Sequence, residues 1–451
     1  MKPIRWLIKL FDLFAALSFA LPFVALVLLK SRQGHRRSSD VRRMLAIDTS
    51  FSLHMIRSRN LESSVTCRDL DGFFEHVWTV NPCAGSHPDE PPESSIGPLK
   101  ITEITLMHTF VEGRVGRSLR LKKLPQLNFV LSQIGVFFFL NRLIRTCGIR
   151  VIRAGDPYYQ GLLGLGLASI NRIPLVIRVG GNFDAIYKAT GKPIYPRLFR
   201  WRRVEKWIER HTLRHADLVA GANQDNLDFA LESGASRERS TLFRYGNLID
   251  SRHFSDPASR PKVHGELKLK AERFLIYVGR LEPVKHPDDV LRVLAEVRRK
   301  GMEVGAVLVG DGSMKNQLQE LAQILGIESH VLFTGNRDQG WIANLLPTAA
   351  VVVSPHTGRA LTEAALSGTP IVAYDIDWQS ELIRSGETGE LVPYKDWQQM
   401  AEAVCRLLTD TERAKRLGRQ GRAAALQMMD PVKLTNHERA AYQGLLKCAN
   451  S

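Results

Sequence analysis

The chain has 451 residues, of which 44% are hydrophobic and 24% charged, and its formal net charge is +16. This length is typical of two or three domains, and the composition argues against wholesale disorder and against a polytopic membrane protein. Five scattered cysteines, none in a CxxC pair, argue against a disulfide framework or a cysteine zinc site and favour a reducing compartment. The excess of basic residues indicates an anionic partner, which could be nucleic acid, anionic lipid or a phosphorylated ligand.

The first 43 residues contain an apolar segment between basic ends. Nine lysines and arginines against two aspartates give this region a net charge of +7, and residues 13–29 are 17 consecutive uncharged residues. Such a run is near the lower limit for crossing a bilayer, and Pro22 would kink it. A signal peptide would need a small-residue cleavage site, which does not follow. Basic residues on both flanks favour a bent helix that enters and leaves the same leaflet over a simple span.

The same segment resembles the reentrant membrane helix that opens the monotopic polyprenol-phosphate phosphoglycosyl transferases. The likeness rests on residues 8–12 and on the mid-helix Pro22, and it covers the first 32 residues. That family's catalytic Asp-Glu pair would stand before a Leu-Pro-Gln, yet here two lysines precede the Leu-Pro-Gln at 124–126. We therefore expect a membrane anchor at residues 1–32 without that family's chemistry.

After the anchor, short apolar runs alternate with longer amphipathic ones, which is the pattern of a parallel sheet with crossover helices. It predicts an α/β fold of two tandem doubly wound Rossmann-like domains behind the N-terminal membrane helix. We expect an acceptor-side domain over residues 40–255, a donor domain over 256–430, and a C-terminal helix over 431–451 that crosses back to the first domain. A loop is expected at 85–98 and a linker at 255–272. Two such domains would place a ligand cleft at the carboxyl ends of both sheets. The predicted strands span residues 43–52, 76–81, 149–154, 174–179 and 216–221, then 274–279, 306–310, 331–335, 350–354 and 370–374.

The second predicted domain carries candidate phosphate-binding residues. Gly279 and Arg280 follow its first strand, and Lys285 comes shortly after them. An arginine fork and a mobile lysine at this spacing could both reach a diphosphate, although two solvated surface cations are the alternative. Further along, Gly358 precedes a predicted helix and Glu363 lies in its first turns. Free amides there suit a phosphate and the carboxylate suits sugar hydroxyls, whereas an acid favoured only by the helix dipole is the alternative.

Together these elements resemble the donor domain of the retaining glycosyltransferases of the GT-B fold, the large family four (glycosyl transferases group 1). The resemblance covers residues 216–426 and is most specific in Gly-Arg-Leu-x3-Lys, Val-Gly-Asp-Gly and Glu-Ala-x3-Gly-x-Pro. It implies that Arg280 and Lys285 are the catalytic cations that hold the diphosphate, that Glu363 binds the nucleotide ribose, and that Asn336 lies beside the base. It implies no metal and no cofactor, with a nucleotide-diphosphate sugar as co-substrate. The other donor-binding residues that it implies are Gly279, Gly358, Arg359, Ala360 and Leu361.

Two positions depart from this family's pattern. Pro355 stands where the family usually has a glutamate that contacts the transferred sugar, and Gly180 stands where its first domain commonly carries a histidine. Asp156 ends the preceding strand, where it could face the acceptor or could equally cap the next helix. Polar residues beside the two departures are candidates for the missing contacts: His356, Thr357 and Asn182. The acceptor-side candidates are therefore Asp156, Asn182 and His356.

Residues 197–214 form a predicted basic helix that contains Trp201 and Trp207. Such a helix could lie on an anionic membrane near the anchor. The alternative is a surface helix that packs its apolar stripe, which includes Trp201, Val204 and Ile208, on the first domain. We favour this alternative slightly, because any surface helix needs an apolar stripe.

The sequence therefore predicts a membrane-associated, cytoplasm-facing glycosyltransferase of the hexosyltransferase type, with retention implied by the family resemblance. It would transfer a sugar from a nucleotide-diphosphate sugar to a glycan acceptor, expected to be lipid-linked, in cell-surface polysaccharide synthesis. Membrane lipids are a further expected partner. A catalytically weak scaffold of a glycan-assembly complex is the alternative, suggested by Pro355 and Gly180. Nucleic-acid binding is disfavoured, because so much of the excess charge lies beside the apolar segment.

Overall fold

The computed structural model describes most of the chain but little of the predicted anchor. The described residues are 11–20 except 16 and 19, 41–84 except 51, 59 and 60, 100–114, 124–195, and 201–448 except 262–264, 266 and 268. The predicted loop at 85–98 and most of the predicted anchor at 1–32 lie outside them. The described residues between 11 and 20 are helical.

The chain divides into two compact units. Unit 1 comprises Met1–Arg244 together with Lys433–Ser451, and unit 2 comprises Tyr245–Val432. Each unit is built around its own parallel sheet. The prediction of two Rossmann-like domains in an α/β fold is confirmed.

The boundary between the units precedes the predicted linker at 255–272, because the start of that segment is hydrogen-bonded within unit 2. Arg260 donates to the carbonyl of Ala343 at 2.9 Å. Arg422 donates to the carbonyl of Ser255 at 3.0 Å. The start of the predicted linker is therefore hydrogen-bonded to the rest of unit 2.

The described strands of unit 1 form one sheet that is parallel except at one edge. They are β1 (Arg43–Ile47), β2 (His76–Ala84), β3 (Lys100–Thr105), β4 (His108–Arg114), β5 (Val151–Ala154), β6 (Leu175–Val179), β7 (Leu218–Gly221) and β8 (Ser240–Leu242). Their order is β3-β4-β2-β1-β5-β6-β7-β8, with β3 antiparallel to β4. The strands predicted for this domain correspond to β1, β2, β5, β6 and β7. Strands β3, β4 and β8 were not predicted, because they lack a continuous apolar run.

Helices cover this sheet and bury an apolar core. They are α1 (Leu53–Ser58), α2 (Ser63–Thr66), α3 (Pro125–Thr146), α4 (Tyr159–Asn171), α5 (Phe183–Thr190), α6 (Arg202–His215) and α7 (Gln224–Glu232). One core cluster joins α3, α4, α6 and α7 to the sheet through Leu140, Leu165, Leu213 and Phe229. Burial of such side chains contributes roughly 1.5–3 kcal/mol each to stability.

Helix α3 has an unusual composition for a crossover helix. Within the described part of the chain, it is the one helix long and apolar enough to cross a membrane. It connects β4 to β5 and buries Val136, Phe137, Leu140 and Ile144 in the core of unit 1. The packing of these four side chains in the core therefore explains the apolar character of that face of the helix.

The described strands of unit 2 form a second, parallel sheet in the order β11-β10-β9-β12-β13-β14. The strands predicted for this domain are present as β9 to β13, while the short β14 was not predicted. They are β9 (Phe274–Val278), β10 (Gly305–Val309), β11 (Val331–Gly335), β12 (Val351–Ser354), β13 (Ile371–Tyr374) and β14 (Glu390–Val392).

The helices of unit 2 begin and end where the sequence punctuation indicates. Pro287 is the first residue of α8, and Gly326 follows α9 with a φ of +66°, a conformation that glycine adopts without strain. The helices are α8 (Pro287–Arg299), α9 (Lys315–Ile324), α10 (Gln339–Leu345), α11 (Ala360–Leu366), α12 (Gln379–Leu382), α13 (Trp397–Thr409) and α14 (Thr411–Met428). Short 3₁₀ helices include Ser251–Phe254, Pro257–Ser259 and Pro283–Lys285.

The last helix, α15 (Pro431–Cys448), packs on unit 1. The Glu438 carboxylate is 2% exposed and lies 3.4 Å from the Arg153 guanidinium and 3.8 Å from that of Arg178. Tyr442 is fully buried against Phe74, with ring centroids 5.1 Å apart. A buried carboxylate between two arginines explains why this helix is fixed on the sheet, since removing either partner would leave an uncompensated charge.

Candidate functional site

Two glycines let the loops after β9 and β10 approach each other. A Cβ on Gly310 would lie 2.0 Å from the carbonyl oxygen of Gly279, and a Cβ on Gly312 would lie 2.4 Å from that of Leu281. The amide of Leu281 donates to the carbonyl of Asp311 at 3.0 Å. The Val-Gly-Asp-Gly motif is therefore explained by this close backbone approach at the carboxyl edge of the sheet.

Lys285 lies where the loops after β9 and β12 meet. Its Nζ is 3.8 Å from the point that a Cβ on Gly358 would occupy, and Gly358 itself has a φ of +66°. Burial, and then the neighbouring Arg280 cation, lower the pKa of Lys285, while Asp377 opposes the shift. The structure thus brings Arg280, Lys285 and Gly358 together. Two cations near a glycine backbone form an arrangement that suits a diphosphate.

Arg280 is held through its backbone, which leaves its side chain available. The Tyr277 hydroxyl donates to the carbonyl of Arg280 at 2.8 Å. The residue is exposed at the end of β9, beyond Gly279. Glu282, two residues on, accepts from the hydroxyl and the amide of Ser313 at 2.6 and 3.0 Å. These bonds tie the loop after β9 to the loop after β10 without using the Arg280 guanidinium.

Glu363 lies in the first turn of α11 and is 5% exposed. Its carboxylate forms no hydrogen bond or ion pair with any residue that the structure describes. Both carboxylate oxygens nevertheless stay accessible to solvent, so a ligand could bind them. Nearby, Leu361 has a fully buried side chain, and its amide donates to the carbonyl of Gly358 at 3.1 Å. Arg359 is exposed and Ala360 half-buried at the same helix start.

His356 lies in unit 2, in the loop between β12 and α11. Its Nδ1 is 3.0 Å from the carbonyl oxygen of Val284 and therefore donates to it. Its Nε2 is 3.4 Å from the Asp377 carboxylate, which it can hydrogen-bond only when the imidazole is protonated. Thr357 pairs with Ser354, with their hydroxyl oxygens 2.5 Å apart. His356, which follows Pro355, is thus held against the loop that carries Lys285.

Two residues that shape this loop were not predicted from the sequence. Gln379 is fully buried and donates to the carbonyl oxygens of Ser354 and Pro355 at 3.3 and 3.1 Å. Asp377 contacts His356 and has a φ of +55°, which is uncommon for a non-glycine residue. Asp377 comes soon after the carboxyl end of β13, so the rule that pointed to Arg280 after β9 could also have found it.

Asn336 and Arg337 follow β11 and are exposed. The Arg337 guanidinium lies over the ring of Trp341, 5.0 Å from its centroid. Asp338 caps α10, because its carboxylate accepts from the amide of Trp341 at 3.0 Å. The structure thus places Asn336 at the same edge of the sheet as Arg280, two strands away.

A second polar cluster lies at the carboxyl edge of unit 1. Asp156 follows β5 and is 5% exposed. Its carboxylate accepts from the Tyr195 hydroxyl at 2.5 Å and from the Tyr158 amide at 2.7 Å. The Tyr195 oxygen is also 3.1 Å from that of Thr49, and it accepts from Gln160 at 3.2 Å. Asp156 therefore organises the turn before α4 and also lies in a network of hydroxyl and amide groups.

Burial raises the pKa of Asp156 to about 6, although its hydrogen bonds to Tyr195 and Tyr158 oppose the rise. Because this folded-state pKa exceeds the ordinary 3.8, the folded state binds the proton more tightly than the unfolded state. Its contribution to stability is therefore fully present below pH 3.8 and is lost as the pH rises through about 6. The change amounts to about 3 kcal/mol. We expect Asp156→Asn to remove this pH dependence.

The measurement is the free energy of unfolding by urea at several pH values in that range. Asp228→Asn, at an exposed position in unit 1, is the matched control. An unchanged pH dependence in Asp156→Asn would contradict the assignment.

Asn182 is committed to local structure. Its side-chain oxygen accepts from the amide of Ala185 at 3.1 Å, which caps α5, and its amide donates to Asp225 at 3.1 Å. Gly180 is exposed two residues earlier. A contact between Asn182 and a sugar would therefore compete with these two hydrogen bonds.

The basic helix α6 packs differently from its predicted stripe. Its inner face holds Glu205 and Glu209, both fully buried, and these pair with Arg202 and Lys206. The predicted stripe is therefore wrong in part, because an ion-pair network occupies much of the buried face. Of the apolar side chains on this helix, Trp201, Val204 and Trp207 are 68%, 41% and 54% exposed. Ile208 is buried as predicted.

Metal binding and thiol chemistry depend on how the described side chains are placed. These contain no group of three or more histidine, cysteine, aspartate or glutamate side chains placed to hold a metal ion. Cys67, Cys83, Cys147 and Cys405 form no disulfide, and burial raises the pKa of Cys83, beside Asp156, to about 12. A thiol with so high a pKa stays protonated near neutral pH and is a poor nucleophile.

Comparison with known proteins shows that part of unit 2 is similar to one protein family. Residues 259–424 match the model of the family described as glycosyl transferases group 1. Alpha-D-kanosaminyltransferase from Streptomyces kanamyceticus is 29% identical over 221 residues, which are 48% of this chain and 57% of that protein. A GDP-mannose-dependent alpha-(1-6)-phosphatidylinositol monomannoside mannosyltransferase from Mycobacterium tuberculosis is 29% identical over 39% of this chain and 48% of its own. The chain thus spans about half the length of these relatives.

Solved structures match across both units. HepE from Anabaena, in complex with UDP-glucose, superposes with a TM-score of 0.65 at 18% identity and covers 89% of this chain and 99% of its own. Sucrose-phosphate synthase from Thermosynechococcus elongatus superposes with a TM-score of 0.68 at 18% identity, over 90% of this chain and all of its own. At this identity the likeness shows the fold. The chain therefore has the GT-B fold, and its residues 259–424 are similar to the glycosyl transferases group 1 family.

Proposed function

We propose that this chain is a nucleotide-sugar-dependent glycosyltransferase of the retaining, hexosyltransferase type. The observation that carries the proposal is the meeting of Lys285 with the backbone of Gly358, beside Arg280, in the unit that matches the glycosyltransferase family. The carboxylate of Glu363, whose oxygens stay accessible, adds a second ligand-binding group to the same edge. Together these groups suit a diphosphate and a ribose.

In this proposal, catalysis depends on stabilising the departing diphosphate. Negative charge grows on the leaving oxygen as the bond to the sugar breaks. The backbone of Arg280 is fixed before the reaction through its bonded carbonyl, and Lys285 is half-buried beside it. Preorganised charges of this kind stabilise a transition state more than the ground state, which lowers the barrier. Glu363 would accept hydrogen bonds from the ribose hydroxyls and act in binding.

The acceptor is proposed to be a lipid-linked glycan at a membrane surface, in cell-surface polysaccharide synthesis. Support comes from the apolar segment with basic flanks at residues 1–43, and from the mannosyltransferase relative whose name specifies a phosphatidylinositol monomannoside. The catalytic units would face the cytoplasm, where nucleotide-sugars are made. On unit 1, the network around Asp156 and Tyr195 offers hydroxyl and amide groups for a sugar acceptor.

A scaffold that binds nucleotide without turnover is a second candidate. It is favoured by Pro355, which cannot replace a carboxylate, and by Gly180, which has no side chain. The engagement of Asn182 as a helix cap also favours it. His356 is held beside Lys285 and favours the hypothesis of an enzyme, because it leaves a protonatable group next to Pro355.

Donor binding is tested by thermal unfolding of the full chain in detergent with UDP, GDP, ADP, CDP or dTDP. At about a hundred times Kd a ligand stabilises by about 2.7 kcal/mol, so we expect one of them to raise Tm by roughly 5–10 °C. Lys285→Ala should lose most of this shift. Lys300→Ala, which removes an exposed lysine paired with Glu296, should keep it. A panel without any shift would contradict the proposal.

A further inference from the structure

The N-terminal helical segment (residues 11–20) is attached to helix α3 by one buried carboxylate. Asp12 is 3% exposed. Its Oδ2 accepts from the backbone amide of Gln126 at 3.0 Å, and its Oδ1 accepts from that of Leu127 at 2.9 Å. A side chain 114 residues earlier in the chain thus satisfies two amides at the start of α3.

This contact meets a need of α3 itself. The first amides of a helix have no partner within the helix, and an acidic side chain there also complements the helix dipole. Leu124, at the N-cap position, has no polar side-chain atom, and Pro125 has no amide hydrogen. Gln126 and Leu127 are therefore the first amides that need a cap, and Asp12 supplies it.

The start of α3 lies at the carboxyl edge of the sheet in unit 1. Helix α3 connects two parallel strands, so it begins at their carboxyl edge and ends at their amino edge. Gln133, in its first half, donates to the carbonyl of Pro82 near the end of β2 at 3.2 Å. At the other end, the Cys147 carbonyl accepts from Arg43, the first residue of β1, at 2.8 Å. The N-terminal segment therefore joins the edge that carries Asp156.

The attached segment exposes apolar side chains. Phe11, Leu13, Phe14 and Leu17 are 64%, 42%, 62% and 41% exposed. The sequence stays uncharged to residue 29, and basic residues precede and follow this run. An apolar surface between basic flanks is complementary to the hydrocarbon and head groups of an anionic bilayer.

We propose that Asp12 clamps a bilayer-inserted segment to the acceptor edge of unit 1. The occupant of the apolar surface is then an anionic lipid bilayer, which lies beside the cluster of Asp156 and Tyr195 and away from the amino edge. This inference deepens the proposed function and rests on it for the role of the acceptor, since it states where the membrane meets the acceptor side. A lipid-linked acceptor would reach that edge without leaving the bilayer.

The test is energy transfer from an introduced tryptophan to dansyl-labelled lipid head groups. Vesicles contain phosphatidylethanolamine and phosphatidylglycerol, and the signal of the native tryptophans is subtracted. Ser50→Trp reports the carboxyl edge, and Thr146→Trp, at the far end of α3, is the matched control; both positions are exposed. Because α3 is about 33 Å long, the two reporters differ clearly in distance from the clamp. We expect more transfer from position 50 than from position 146.

Changes at Asp12 test the clamp itself. Asp12→Ala should abolish the difference between the two reporters while the vesicle-bound fraction stays the same, since apolar burial is unaffected. Exchange of the Gln126 and Leu127 amides should rise roughly fivefold, the factor that corresponds to loss of a typical cap. Asp12→Asn should retain part of the difference, because its one amide oxygen can still accept from one of the two backbone amides, whereas its NH2 group cannot accept from the other. This variant also shows that loss in Asp12→Ala is not a folding failure.

Three outcomes would overturn the inference. Equal energy transfer from both reporters in the protein that retains Asp12 would show that the N-terminal segment is not held at the start of α3. An unchanged difference in Asp12→Ala would show that another contact fixes the segment. Absence of vesicle binding would show that another surface covers the apolar side chains. None of these readouts depends on nucleotide-sugars, so a failure of the glycosyltransferase proposal is detected separately, by the thermal shifts.

Discussion

Lys285→Ala should lower the rate of sugar transfer at saturating donor by roughly two to three orders of magnitude, as loss of one preorganised charge does. The reason is that its ammonium lies beside Gly358 and Arg280, where the diphosphate would gain charge. Arg280→Ala should have an effect of similar size. The measurement is kcat for release of nucleoside diphosphate by the full-length protein in vesicles.

Matched controls separate this role from surface charge in general. Lys300→Ala and Arg299→Ala each remove a cation that pairs with Glu296 at the opposite end of α8 from Pro287, and both should leave kcat unchanged. The pH profile gives a further check. Arg280 lowers the pKa of Lys285, so Arg280→Gln should raise that pKa and move the basic limb of the profile to higher pH. If Arg280→Ala and Lys285→Ala both retain full turnover, the diphosphate assignment is wrong.

Glu363→Gln should raise KM for the donor roughly ten- to a hundredfold, the range expected for hydrogen bonds to a charged group. The amide keeps the size of the side chain but replaces one accepting oxygen with a donor, so it pairs poorly with two ribose hydroxyls. Because the ribose does not react, kcat should change little. Steady-state kinetics with the preferred nucleotide-sugar measures both constants.

Glu320→Gln is the matched control, since Glu320 is exposed on α9. It should leave KM and kcat as in the parent protein. A fall in kcat with an unchanged KM in Glu363→Gln would assign Glu363 to the chemical step and would refute a ribose-binding role.

The donor-side unit was largely predictable because its signals are local. Each buried parallel strand is a short apolar run, and the loop after it carries the chemistry. Gly310 is explained by the approach of the loops after two adjacent strands, in which a Cβ would meet the Gly279 carbonyl at 2.0 Å. Residues close in sequence therefore suffice to place Arg280 and Lys285 at one edge of the sheet.

Contacts between distant segments could not be predicted. Asp12 reads as part of a membrane segment, and only the folded chain shows it capping α3 more than a hundred residues later. Glu205 and Glu209 follow ordinary helical spacing, so their burial against Arg202 and Lys206 was not visible either. In both cases a buried carboxylate is compensated by polar groups, backbone amides for Asp12 and cations for Glu205 and Glu209, which no apolar pattern reveals.

The central claim is that the groups around Lys285 turn over a nucleotide-sugar. The most direct measurement is consumption of each member of a nucleotide-sugar panel by the full-length protein in vesicles, compared with the Arg280→Ala/Glu363→Gln double variant. The account predicts that the parent protein releases nucleoside diphosphate from at least one donor and that the double variant does not. Equal release by both proteins, or no release from any donor by a parent protein that still binds nucleoside diphosphate, would contradict it.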